Sequence, residues 1–182
     1  NSKCLTGFAG ITEFGVINEP ILIKSFDEYL ANFGGFDSVG ILPYSVYSYF
    51  RNGGTECIVV RIADEENVRA ATYKAKARNG YIKLTAKTPG KWGNHIVISI
   101  WKENNDFFSL TVGYKTKTES FIHLSYNRED SRYFESYINK NSSLCTVSVE
   151  GIVEDMEPVF MKTFVGGNDG LSTLSAKHFI GK

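Results

Sequence analysis

The chain has 182 residues, and its 20 Lys plus Arg are matched by 20 Asp plus Glu. A formal charge of zero supplies no long-range field to gather DNA or an anionic membrane. Hydrophobic residues make up 42 % and charged residues 22 %, a globular composition with length for one large or two small domains; no apolar run approaches the ~18 residues of a membrane span, and no signal peptide is visible.

Residues 5–13 (LTGFAGITE) read as a first strand loosened by Gly7 and Gly10, and residues 20–24 (PILIK) as a second. Ser25-Phe26-Asp27-Glu28 matches a capping box, in which Ser25 takes the Glu28 amide and the Glu28 carboxylate reaches back to the Ser25 amide. Phe26, Tyr29, Leu30 and Phe33 recur at helical spacing on one face, and Gly34-Gly35 stops the helix. A second helix is expected from about Pro43, with Val46, Tyr47 and Phe50 as its apolar stripe and Gly53-Gly54 as its end. Glu56–Ile62 (ECIVVRI) reads as a buried strand.

From about residue 64 the pattern turns mostly to period two. Residues 72–78 and 81–87 flank Asn79-Gly80, which predicts a hairpin. The turn Thr88-Pro89-Gly90 leads into Trp92-Gly93-Asn94. Ile96, Ile98 and Ile100 alternate, and after the polar turn Glu103–Asp106 so do Phe108, Leu110, Val112 and Tyr114. Further strands are expected at Phe121–Leu124 and Leu144–Val149, and a short helix within residues 130–140. Residues 151–165 give no clear pattern, and Pro158 argues against a central strand there. Gly166–Gly170 reads as a flexible loop. The fold class is therefore α+β: a small mixed α/β unit over residues 1–64, then an antiparallel β-sandwich or small barrel over 65–165, then a glycine-rich exit over 166–182.

Candidate chemistry is sparse. Cys4, Cys57 and Cys145 are odd in number and form no C-x-x-C pair, which speaks against a disulfide scaffold or a zinc site and for reduced thiols in a reducing cytoplasm. His95, His123 and His178 lack a second ligand at metal spacing. There is no Gly-x-Ser-x-Gly elbow and no phosphate loop. Asp27 and Glu28 belong to a helix start, while Asp64, Glu65 and Glu66 read as a solvated boundary. Lys74, Lys76, Arg78, Lys83 and Lys87 with Tyr73 and Tyr81 offer a basic, aromatic hairpin, read here as the solvated face of a half-buried hairpin rather than a nucleic-acid surface. No catalytic, cofactor-binding or metal residue is named, and no cofactor is expected.

Specific strings add to this reading. Gly7-Phe8-Ala9-Gly10-Ile11-Thr12-Glu13 with Gly15-Val16-Ile17-Asn18-Glu19-Pro20, then Ser25–Gly35, Leu42–Val46 leading into Tyr49–Gly54 and Cys57–Ile62, Pro89–Asn94, and Val165–Leu171 stand in the order found in contractile tail sheath proteins. The chain resembles the N-terminal, outer portion of that family. The resemblance implies a subunit of a phage tail, a tailocin or a related extracellular contractile particle, assembled in the bacterial cytoplasm. It implies copies of the chain in a helical sheath around an inner tube, contracting to drive the tube through a target envelope. It also implies contacts with the tube protein and baseplate through a C-terminal domain following the exit loop. Asn1 and Lys182 both read as cut ends of a longer protein, and the chain on its own is expected to be monomeric. Neither nucleic acid nor membrane insertion is expected. The competing reading is a β-sandwich adhesion module that recognises a cell-surface ligand through Tyr and Trp; Trp92 and Trp101 discriminate, since a sugar platform needs an exposed flat ring whereas a sheath-type turn buries Trp92.

Overall fold

The computed structural model describes residues 5–36 and 39–180; Cys4, Asn1 and Lys182 lie outside the described residues. The chain divides into two compact units. One comprises Asn1–Arg69, Thr88–Gly90 and Asn168–Lys182, and the other comprises Ala70–Lys87 and Lys91–Gly167.

In the first unit, β1 (Thr6–Gly10) and β2 (Pro20–Ile23) flank β3 (Cys57–Arg61), which pairs with β1 in parallel and with β2 antiparallel. The first strand ends at Gly10, short of the expected residue 13. Helix α1 (Phe26–Phe33) opens on Ser25, whose hydroxyl accepts from the Glu28 amide at 3.1 Å. The other half of the expected capping box is displaced: the Glu28 carboxylate accepts from the Lys24 amide at 2.6 Å, one residue before Ser25. Gly34, at φ 84°, ends the helix in a conformation that suits glycine. Helix α2 (Leu42–Arg51) has its proline in the first turn. Tyr29, Phe33, Val46, Cys57, Val59 and Ile23 close the core of this unit.

In the second unit, β4 (Thr72–Ala86) pairs antiparallel with β8 (Cys145–Met156). A separate sheet has the order β7 (Lys117–Ser125), β6 (Phe107–Tyr114), β5 (Val97–Lys102), β9 (Val159–Thr163). Helix α3 (Phe134–Asn141) packs on β7 and β8, and β5 packs on β8. The predicted alternation holds: Ile96, Ile98, Ile100, Phe108, Leu110, Val112 and Tyr114 are all buried. Pro158 immediately precedes the edge strand β9, where a missing amide costs no ladder bond. Among the described residues every sheet is open, so the barrel alternative falls and the fold is α+β.

The expected Asn79-Gly80 hairpin does not form. Residues 72–86 make one strand, and both halves pair with β8. Asn79 does take a left-handed backbone, φ 61°, but inside a bulged stretch opposite Gly151 at φ 84°. The bulge switches the buried positions from Ala75 and Ala77 to Ile82, Leu84 and Ala86. A change of parity about Asn-Gly suits a turn or a bulge equally. The twelve residues of β8 decide for the bulge, because they give both halves a common partner.

Trp92 lies in a 3-10 turn, Lys91–His95, and is 6 % exposed, edge-on to Tyr114 at 5.1 Å between ring centroids. Gly93 is required there, since a Cβ would stand 2.8 Å from the Ala71 methyl and 2.9 Å from that of Ala86. Trp92→Ala should lower stability by roughly 3–5 kcal/mol, the usual loss for a large buried ring, as read by circular dichroism in urea. Gly151→Ala should cost about 1–3 kcal/mol, because the new methyl would combine positive-φ strain with a clash on the Asn79 carbonyl; the fluorescence of Trp92 and Trp101 during denaturation measures it, and an unchanged midpoint would contradict the bulge.

Candidate functional site

The strongest polar constellation in the first unit is built on Arg61, the last residue of β3. Its side chain is 1 % exposed, yet Nη1 donates to the Gly15 carbonyl at 2.7 Å and to the Pro89 carbonyl at 2.9 Å. Burial pulls the guanidinium down to about 10, and the charge of Asp169 opposes that shift. The group therefore stays cationic at neutral pH. It holds loops together and offers no free donor face to a substrate.

Asp64 follows a few residues on. Its carboxylate accepts from the Thr173 hydroxyl, from the Asn67 carboxamide at 2.8 Å and from the Glu66 amide at 3.1 Å, with His178 Nε2 at 3.7 Å. These partners hold its pKa at about 2. The acidic group expected to be a solvated boundary is thus split. Asp64 is buried and bonded, while Glu65 accepts from Asn18 Nδ2 at 2.7 Å. A cavity of about 570 Å³ opens beside them, lined by Asn18, Asp64, Glu66, His178 and Phe179 among others.

In the second unit the basic residues lie along one strand, and cross-strand acids answer three of them. Lys74 stands 3.9 Å from Glu150, Lys76 3.6 Å from Glu157, and Arg78 2.9 Å from Asp155. Lys102 also meets Asp155, at 2.5 Å, and together the two cations hold the Asp155 carboxyl below its ordinary range. The ladder is a self-neutralised face. The Gly166–Gly170 segment is tied down where flexibility was expected. In the second unit Gly167 exchanges bonds with the Asn94 carboxamide, and in the first Asn168 and Arg69 exchange backbone bonds at 2.9 Å.

One cluster escaped the sequence reading. Glu103 accepts from the Ser109 hydroxyl, from the His123 amide at 3.0 Å and from His123 Nδ1 at 2.5 Å. The ingredients of a triad are present, but the carboxylate sits between serine and histidine, so the hydroxyl donates to the acid and not to a base. These donors lower the Glu103 pKa. Nothing local in sequence could have revealed it, since Glu103 lies in the turn after β5 and His123 on β7, twenty residues on. His95 ends the 3-10 turn. Cys57 and Cys145 are buried, and burial pushes both thiols up, Cys145 to about 11, which makes them inert. A polar cleft of about 800 Å³ lies within the second unit, with Arg78, Asp106, Tyr126, Asn127, Arg128 and Glu154 in its lining. Among the described residues no His, Cys, Asp or Glu cluster has the arrangement of a metal site.

Asp64 generates a pH prediction. The unfolded chain protonates it near 3.8 and the folded chain at about 2. Its contribution to stability is complete above pH 4 and is lost as pH falls towards 2. Asp64→Asn should flatten the fall in protection of β3 amides over that window, followed by hydrogen exchange; an equally steep fall in the variant would show that other carboxylates govern it.

No protein-family model and no curated protein matches the sequence. Solved structures do. A sheath tail protein from Listeria innocua superposes with a TM-score of 0.64 over 92 % of this chain and 35 % of its own, at 14 % identity. A sheath tail protein from Desulfitobacterium hafniense gives a TM-score of 0.59 over 91 % and 35 %, also at 14 % identity. The chain thus spans 35 % of the length of these proteins and has the fold of that part of them.

Proposed function

We propose that the chain is a structural, non-catalytic part of a contractile sheath subunit. In this reading it assembles with copies of itself around an inner tube and belongs to a phage tail or a released contractile particle. Contraction drives the tube through a target envelope, and the tube protein and baseplate are further partners. The observation that carries the reading is the fold likeness to two sheath tail proteins over more than nine-tenths of the chain. The short strings of the resemblance support it by where they fall: Ser25–Gly35 makes α1 with its cap and stop, and Pro89–Asn94 makes the buried Trp92 turn. The non-catalytic part is supported by side chains already committed to one another, with Arg61 on two carbonyls and Glu103 between Ser109 and His123.

One observation favours the adhesion module instead: Trp101 is 44 % exposed and could offer a flat ring to a saccharide. The burial of Trp92 weighs the other way. Electron micrographs of the intact gene product, alone and mixed with its tube protein, should show hollow tubes. A product that stays dispersed in both cases and is retained by a glycan surface would replace the sheath reading with the binding module.

A further inference from the structure

Helix α2 is apolar on both sides. Leu42, Pro43 and Val46 are buried in the first unit. Ile41, Tyr44 and Tyr47 form the opposite stripe, with Ile41 81 % and Tyr44 56 % exposed. Phe36 extends this face, 4.8 Å from Tyr44 between ring centroids, and Phe26 lies 5.0 Å from Tyr47. Val39 adds a further exposed apolar side chain. A helix that is hydrophobic all round is normally covered all round, and contiguous exposed rings rich in tyrosine are the composition of an interface core.

Two features of the second unit are less suited to association through strand addition or charge. Both edge strands of the four-stranded sheet carry a non-glycine residue at positive φ beside a register shift, His123 at 51° in β7 and Met161 at 44° in β9. Such bulges blunt an edge against strand addition. The outward charges of β4 and β8 answer one another within the chain.

We propose that the outward face of α2 seats a second copy of this chain. The choice of occupant rests on the sheath reading, in which copies repeat. Charge does not oppose it: the chain is neutral overall, and the one charged side chain on the stripe, Arg51, lies 6.0 Å from the Tyr47 ring centroid. Covering these side chains removes on the order of 500 Å² from each copy, about 1,000 Å² in all, the low end for a specific contact. A single contact is therefore weak, and repetition along an assembly strengthens it.

The test places the photo-crosslinker p-benzoylphenylalanine at position 44 of the full chain. Equal amounts of light and isotope-labelled protein are irradiated from micromolar to near-millimolar concentration. The expected product is a covalent dimer whose yield rises with concentration and whose mixed isotopes join two copies. Ile41→Glu should lower that yield about tenfold by placing an unpaired carboxylate in the contact. Its melting temperature should stay the same, because the Ile41 side chain packs on little within its own copy. A dimer yield that ignores Ile41→Glu, or no dimer at the highest concentration, overturns the proposal. Tubes formed equally well by the Ile41→Glu intact product would overturn this contact and leave the sheath reading standing. Crosslinking between copies of a product that never forms tubes would do the reverse.

Discussion

A guanidinium removed from water must be surrounded by acceptors or the fold that buries it is lost. Arg61 meets that demand at the end of β3, the central strand of the first unit. Gly10 is its register partner on β1, Ile17 bridges to it, and its side chain takes the carbonyls of Gly15 and Pro89. The charge of Asp169 reaches it from the far end of the sequence. Segments more than a hundred residues apart are therefore tied to one cation. Both bonds leave one terminal nitrogen, Nη1, whose two hydrogens each find a carbonyl.

Local physics made much of the fold legible. The Ser25 cap, the glycine stop at Gly34 and the alternating Ile96, Ile98 and Ile100 each depend on neighbours a few residues away, and each stands where the sequence puts it. Asn79-Gly80 shows where such reasoning ends. The dipeptide specifies a left-handed backbone, but whether that backbone reverses the chain or bulges a strand depends on the partner, and β8 lies some seventy residues on. The outward exposure of the basic residues of β4 was legible, but their acids were not, since Glu150 and Asp155 lie on β8 and Glu157 just beyond it. The environment of Asp64 was hidden too: Thr173 and His178 come from the C-terminal end of the chain.

The sheath likeness at 14 % identity is compatible with how these units are built. Their cores need apolar residues at alternating or helical positions, and many side chains satisfy that. The positions with little freedom are those where backbone or a buried charge sets the terms, such as Gly34, Gly93 and Arg61.

The way the chain passes between its units has an evolutionary consequence. Arg69 and Asn168 exchange two backbone bonds in the first unit, and Thr72 and Val165 do the same in the second. The outgoing and returning segments thus run side by side, the arrangement that lets one module be exchanged for another without disturbing its host. The return of Thr88–Gly90 to the first unit complicates such an exchange, because Arg61 depends on the Pro89 carbonyl. A graft that keeps the paired neck but discards those three residues would strand a buried cation in its host. Diversification of the second unit is therefore constrained at one tripeptide that is bonded to the neck itself, the Gly90 amide donating to the Arg69 carbonyl at 3.0 Å.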